Sequence, residues 1–377
     1  MYQSKYTSKL INELRQHITG VILPLWSTRG FNEILSLPYD IIPAPGQAAL
    51  PTTRYRAMAC VRQLYVFSVA GWYDHADRLF ESLRTWFLDI KHGGWNYSID
   101  SQGVPQETKK DLYTHAFVVF GCAEYFQRRG TQDALDLLEE TLYVIETRFK
   151  THTGLYNTVL STDFKTVVIG PRQNPIMHLS EAYLSAYDIQ HNSWFSDALQ
   201  SIAEQIIMKF IHRPTGCIAE LPIGCGPLRI EPGHQFEWFY IASGELDIFK
   251  CNDLSKCLNS AYIFSLRHGV SPRTGGVCAA LNEDGHITDS NERLWAQTEL
   301  CRALTIPQTL HLTNDTFSQK ISLKTQLSRF KKRFLRDYGW VESLAQDGAI
   351  VRINMPSTTP YHIVTMYNSL IQANIEL

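Results

Sequence analysis

Six glycine-centred segments at near-even spacing constrain this chain more than any other feature. They are Arg29-Gly30-Phe31, Gly93-Gly94-Trp95, Thr153-Gly154-Leu155, Thr215-Gly216-Cys217, Gly275-Gly276-Val277 and Tyr338-Gly339-Trp340. Measured between Gly30, Gly94, Gly154, Gly216, Gly276 and Gly339, the steps are 64, 60, 62, 60 and 63 residues. A fixed period of this kind marks a repeat architecture, in which each unit buries its apolar face against its neighbours. Three of the segments run on to a second turn, at Asp100-Ser101-Gln102-Gly103, Asp284-Gly285 and Asp347-Gly348, which reads as a short β-hairpin or extended loop.

Between the glycines the apolar residues fall at helical spacing, with room for two helices per interval. The pattern predicts twelve, over 4–26, 56–70, 74–90, 111–129, 132–150, 174–188, 194–212, 234–250, 254–268, 291–304, 317–336 and 362–375. Helices 56–70, 111–129, 174–188 and 234–250 read as more apolar or as carrying functional polar residues, as inner helices do, while 74–90, 132–150 and 317–336 carry charge on one face, as outer helices do. Six such hairpins can form an open solenoid or close into a ring. A polar-headed inner ring suits a central pocket, so the expected fold is all-α: one (α/α)6-barrel catalytic domain over residues 1–377 with short β-hairpin loops.

With 44% hydrophobic and 19% charged residues in 377, there is ample material for a large core. Lys plus Arg is 35 against Asp plus Glu 37, which leaves no field to gather nucleic acid or an anionic membrane. The N-terminus lacks a basic segment followed by an apolar one, and no run of 18 apolar residues occurs. Eight cysteines without a Cys-x-x-Cys pair sit mostly in apolar stretches, as reduced thiols do, so the expected compartment is the cytosol.

If the second helices line a ring, the polar residues near their starts converge at one end. Every repeat supplies one: Arg62, Tyr113 with His115, Asn174 with His178, His234 with Glu237, Arg293 with Gln297, and His362. A lone histidine on a helix is more often structural than catalytic, but structural histidines have no reason to recur at one phase of a repeat. His234 and Glu237, at i and i+3, share a face, so the carboxylate is expected to accept from the imidazole; Asn174 and His178 share a face likewise. The same histidines and glutamate could hold a divalent metal, but no His-x-x-x-His accompanies them and Arg62 would repel a cation, so no metal is expected. No Gly-x-Gly-x-x-Gly or phosphate loop is present, which leaves nicotinamide and nucleotide cofactors without a signature.

At these residues the chain resembles the N-acylglucosamine 2-epimerase family, which includes cellobiose 2-epimerases, mannose 2-epimerases and mannose or sulfoquinovose isomerases. The segments that carry the resemblance are Arg62-Gln-Leu-Tyr-Val-Phe-Ser, His92-Gly-Gly-Trp, Lys110-Asp-Leu-Tyr-Thr-His-Ala-Phe, Arg172-Gln-Asn-Pro-Ile-Met-His-Leu-Ser-Glu-Ala, Glu231-Pro-Gly-His-Gln-Phe-Glu-Trp, Arg293-Leu-Trp-Ala-Gln-Thr-Glu and Pro360-Tyr-His-Ile. The resemblance implies an (α/α)6 barrel, acid/base roles for His234 and His362, an enediolate-stabilising role for Arg62, and substrate binding by Tyr113, Asn174, His178, Glu237 and Arg293. It implies a small-molecule sugar as partner and no cofactor; a homodimer stays open as the assembly.

Arginine steadies an enediolate oxygen as a fixed cation, and histidine takes and returns a proton near neutrality. Return of the proton to the opposite face of C2 gives 2-epimerisation; return to C1 gives the ketose. The stretch around His362, Ser357-Thr-Thr-Pro-Tyr-His-Ile-Val-Thr, is similar to the mannose-isomerase type, which points to a free aldohexose. The rivals are N-acylglucosamine 2-epimerase proper, a glycoside hydrolase, for which Glu237 is the only carboxylate placed in the ring, and a non-catalytic sugar- or protein-binding barrel.

Overall fold

The computed structural model describes residues 2–244, 246–249, 251–307, 309 and 321–373. The helices follow the glycine period. In chain order they are α1 (Tyr2–His17), α2 (Leu23–Ser27), α3 (Ala57–Val69), α4 (Tyr73–Phe87), α5 (Leu112–Arg129), α6 (Gln132–Val144), α7 (Gln173–Gln190), α8 (Ser193–Lys209), α9 (Pro232–Ser243), α10 (Leu246–Phe249), α11 (Asn252–Gly269), α12 (Leu294–Ala303), α13 (Leu323–Phe334) and α14 (Thr359–Gln372). A π-helical segment, Ile18–Ile22, joins α1 to α2, so the helix expected over 4–26 is present but locally widened. The helix expected over 234–250 stops at Ser243. Residues 245, 250, 317–320 and 374–375 of the expected helices lie outside the described residues.

Burial separates the two rings. In α3 every residue from Ala57 to Ser68 is buried, whereas α4 buries only His75, Ala76, Leu79, Phe80, Ser82, Leu83 and Phe87, a single stripe at helical spacing. A helix apolar all round belongs inside, and one with a stripe belongs outside. By the same pattern α5, α7, α9, α12 and α14 join α3 in the inner ring. The ring closes: Met355–Pro356 pairs antiparallel with Ile41–Ile42, and Gln63 Nε2 donates to the Ser357 carbonyl at 2.5 Å. The architecture is the expected (α/α)6 barrel.

Hairpins form after five glycine segments, two more than the second turns foretold: Phe31–Asn32 with Leu37–Pro38, Ser98–Ile99 with Pro105–Glu107, Val159–Leu160 with Val167–Ile169, Ala280–Leu281 with Ile287–Asp289, and Ser343–Leu344 with Ile350–Arg352. The two residues just ahead of α3, α5 and α12 pair with the hairpin of the next repeat, which fixes where each inner helix begins.

In three inner helices a side chain at the fourth position ties the helix to the glycine segment that precedes it. Gln235 accepts from the Ile218 amide at 2.8 Å and donates to its carbonyl at 2.9 Å; Gln297 does the same to Val277 at 2.9 and 3.1 Å. In the second repeat His115 takes this place, with Nε2 accepting from the Trp95 amide at 3.1 Å and Nδ1–H donating to the Asp111 carbonyl at 2.8 Å. His115 and Gln297 are therefore braces of the repeat rather than members of a site. Gly94 is required here twice over, because its φ is +65° and a Cβ would stand 2.5 Å from His115 Nε2.

Candidate active site

The brace delivers the inner helix starts to one end of the barrel, and the candidate residues meet there. Arg62, on the second turn of α3, donates through Nη2 to the Tyr113 hydroxyl at 2.6 Å. Its guanidinium lies over Phe117 at 4.3 Å and Tyr361 at 4.7 Å, held flat by cation–π contacts from α5 and α14. The Tyr113 hydroxyl in turn lies 3.2 Å from His178 Nε2, whose Nδ1 is 3.2 Å from Glu181 Oε2.

His234 and His362 both pack on the indole of Trp295, with ring centroids 4.9 and 5.9 Å away. Each has its own carboxylate. His234 Nδ1 is 2.7 Å from Glu220 Oε1, and His362 Nδ1 is 3.0 Å from Glu299 Oε1. An Nδ1–H bound to a carboxylate leaves Nε2 as the working nitrogen in both rings. Arg302 bridges the set from below, donating to Glu299 at 2.7 Å and to Glu181 at 3.3 Å, while the Tyr361 hydroxyl donates to Glu181 at 2.5 Å.

The two imidazoles stand in opposite electrostatic settings. Burial alone would depress His234, but Glu220, with Glu231 and Glu237 behind it, overrides that and lifts it to about 9. His362 is held well below its ordinary value by burial first and then by Arg62, His178 and Arg302. His178 falls to about 4, mainly by burial and against the pull of Glu181. Glu237 is raised well above the usual carboxylate range by burial and by Glu299 and Glu181.

Among the described residues, the buried Arg62 Nε, Asn174 Oδ1 and Glu237 Oε1 have no protein partner. Buried polar groups are nearly always satisfied, so two acceptor-capable oxygens and one donor at one place are what a polyhydroxylated ligand would use. A cleft of about 670 Å³ opens beside them, with Tyr113, Asn174, Glu220 and Glu231 on its wall.

Two expectations need correction. Glu237 does not accept from His234: three residues of helix carry it about 4.5 Å deeper, where it stands 3.8 Å from His178 Nε2, and the imidazole turns to Glu220 instead. Nor is Glu237 the only carboxylate in the ring, since Glu181, Glu220 and Glu299 each contact a histidine. Arg293 sits exposed at the rim, its guanidinium 5.5 Å from the Trp295 ring centroid, apart from the buried cluster. Glu220, Glu299 and Arg302 were missed, although each is a charge inside an otherwise apolar stretch. Among the described residues, three His/Glu groups bring their ligand atoms within 4.8 Å and have the donor chemistry to hold a cation: His178–Glu181–Glu237, Glu220–Glu231–His234 and Glu237–Glu299–His362.

Fold and site together define a class: an (α/α)6 barrel with a histidine, arginine and carboxylate cluster at the N-terminal ends of its inner helices. The chain belongs to the N-acylglucosamine 2-epimerase family, whose profile matches residues 42–366. A cellobiose 2-epimerase from Dictyoglomus turgidum is 22% identical over 216 residues, 53% of this chain and 54% of that protein. A D-mannose isomerase from Marinomonas mediterranea is 27% identical over 228 residues, 55% of this chain and 57% of its own length. The chain thus spans about half the length of these curated relatives. The solved cellobiose 2-epimerase of Bacillus thermoamylovorans superposes with a TM-score of 0.85 at 19% identity, covering 97% of this chain and 99% of that one, which bears out the fold.

Proposed function

We propose that the protein is a sugar isomerase or 2-epimerase that works at C1–C2 of an open-chain aldose, mannose-type sugars favoured, through a cis-enediolate. The observation that carries this reading is the placement of two histidines on one indole, each held at Nδ1 by its own carboxylate. Neutral His362 takes the C2 proton through Nε2, and the C–H electrons form the C1–C2 double bond while O1 becomes anionic. Arg62 faces that charge as a fixed cation. When the O2 proton passes to O1, the proton on His362 is returned to C1 as the C2 carbonyl forms, which gives the ketose; when a proton is delivered by imidazolium His234 to the opposite face of C2, the C1 aldehyde reforms and the epimer results. Asn174, His178, Tyr113 and Glu237 hold the hydroxyls, and Arg293 guards the rim. No cofactor enters this scheme. The eight unpaired cysteines support the reducing cytosol as its compartment, with residues 1–377 acting as one catalytic domain.

The size of the cleft favours a second reading, in which a disaccharide such as cellobiose places its reducing sugar at the histidines. Hydrolysis is disfavoured because Glu181, Glu220 and Glu299 are each committed to a histidine, and Glu181 and Glu299 to Arg302 as well. Incubation with mannose, fructose, glucose, N-acetylmannosamine and cellobiose in deuterated water, with EDTA present, tests the proposal. Deuterium is expected at C1 or C2 of at least one sugar. Its absence from all of them sinks the isomerase reading, and activity lost to EDTA and restored by a divalent cation overturns the metal-free scheme.

A further inference from the structure

At the end of the barrel opposite the histidines, the C-terminal halves of the inner helices enclose a second cavity of about 270 Å³, to which all six contribute lining residues. A septum one side chain thick separates it from the site above. Glu181 and Arg302 make that septum: both line the cavity, and both reach upward, Glu181 to His178 and Arg302 to the Glu299 that holds His362.

The lining is of two kinds at once. Carboxylates are supplied by Asp188 and by Glu124, the latter paired with Arg128 at 2.9 Å, and the last carbonyls of the inner helices add partial negative charge at this end. Arg302 faces them, 2% exposed, its guanidinium over the Tyr240 ring at 4.3 Å and its Nε without a protein partner among the described residues. Asn368 on the wall donates to the Tyr65 hydroxyl at 3.1 Å, and the rings of Tyr65 and Tyr240 furnish apolar wall. A metal cation would meet Arg302, and an inorganic anion would meet Glu124, Asp188 and Glu181. A molecule whose groups each donate and accept meets neither conflict. The volume falls near the lower end of the ~300–1,000 Å³ usual for small-molecule sites, which admits a ligand of monosaccharide size.

We propose that this axial cavity binds a small neutral polyol, and that its occupancy reaches the histidines through Arg302 and Glu181. The Arg302–Glu181 contact, at 3.3 Å, is the longest link of the bridge and the one a ligand oxygen on Arg302 Nε would adjust.

Mannitol is the probe, because it has no carbonyl and is not turned over at the mouth. Gln372 lies exposed at the cavity's edge and Asn368 on its wall, and neither touches the histidine cluster, so Gln372→Trp and Asn368→Leu block the cavity with basal sugar turnover unchanged. Expected are calorimetric binding of mannitol to the wild type, a loss of about tenfold or more in both variants, wild-type binding in Tyr113→Phe at the mouth, and a mannitol-dependent shift of the His178 ring resonances. Binding kept by Gln372→Trp but lost in Tyr113→Phe places mannitol at the mouth and overturns the proposal. So does the absence of mannitol binding, or cavity binding of glycine in its stead. Binding that leaves the His178 resonances in place refutes the coupling.

Discussion

His234 Nδ1 stands 2.7 Å from Glu220 Oε1, although Glu220 lies fourteen positions upstream on the segment that follows Gly216 rather than on the histidine's own helix. This carboxylate keeps His234 charged to about pH 9. In Glu220→Gln the amide removes the charge, His234 falls back towards neutrality, and the alkaline limb of turnover moves to lower pH, by about one pH unit for each tenfold of lost proton affinity. The stability linkage has a definite sign. A histidine raised in the folded state contributes stability that is fully present below 6.5 and lost as pH rises through about 9. Glu220→Gln should therefore flatten the fall in thermal midpoint between those values. A pH profile and melting curves on one preparation check both, and an unmoved alkaline limb removes His234 from the role of acid.

His362 carries the complementary prediction. Replacement by Asn keeps a polar group of similar reach that cannot titrate, so turnover should fall by roughly 10²–10⁴-fold while the fold survives. Because the native ring is held neutral well below its ordinary value, the wild type loses stability as pH falls below 6.5, and His362→Asn should lose less of it there. A destabilised but fully active variant would end the assignment.

The sequence made the barrel and most of this cluster legible for one reason: the glycine period shows through the chain, and the first two turns of the inner helices share a phase. Arg62, Tyr113, Asn174, His178, His234 and His362 all follow from that phase and do converge. What was not legible lies off it. Glu220 sits on a loop, and nothing in spacing says that an upstream loop carboxylate outcompetes Glu237 on the histidine's own helix; depth along the barrel axis decides that. Glu181 and Arg302 sit about one turn below that phase, while Glu299 shares the sixth position of its helix with Arg62 and His178, and a charge in an apolar helix such as Gln297-Thr-Glu-Leu-Cys-Arg-Ala was itself a signal. His115 shares the phase but serves as a brace, because its ring mimics the glutamine of the other repeats.

Arg62 should not tolerate lysine. The fork reaches Tyr113 at 2.6 Å while its plane lies on Phe117 and Tyr361, and an ammonium can reproduce the charge but neither the plane nor the second donor. Arg62→Lys is expected to lower kcat by about 10²–10³-fold, as loss of an oxyanion donor does, with a smaller effect on KM. An equal rise in KM with kcat unchanged would mean that Arg62 only binds sugar.

The brace gives a prediction that separates structure from chemistry at a histidine. In the folded protein His115 is fully buried and neutral, pushed down to about 3 chiefly by burial, against the Asp111 carbonyl. Its work is to accept from the Trp95 amide, which is what Gln235 and Gln297 do for Ile218 and Val277. His115→Gln substitutes the side chain that the fold already uses at this position, so thermal midpoint and turnover should both stay close to wild type. His115→Ala strands the buried Trp95 amide and opens space beside Gly94, at a cost of about 2–4 kcal/mol. Turnover per folded molecule should hold in that variant too, since no atom of His115 reaches the Trp295 indole or the Arg62 guanidinium by any contact in the cluster. Denaturant unfolding and single-sugar kinetics on the two variants decide the matter. A stable but inactive His115→Gln would return His115 to the catalytic set and show that the repeat had placed chemistry where its geometry places a brace.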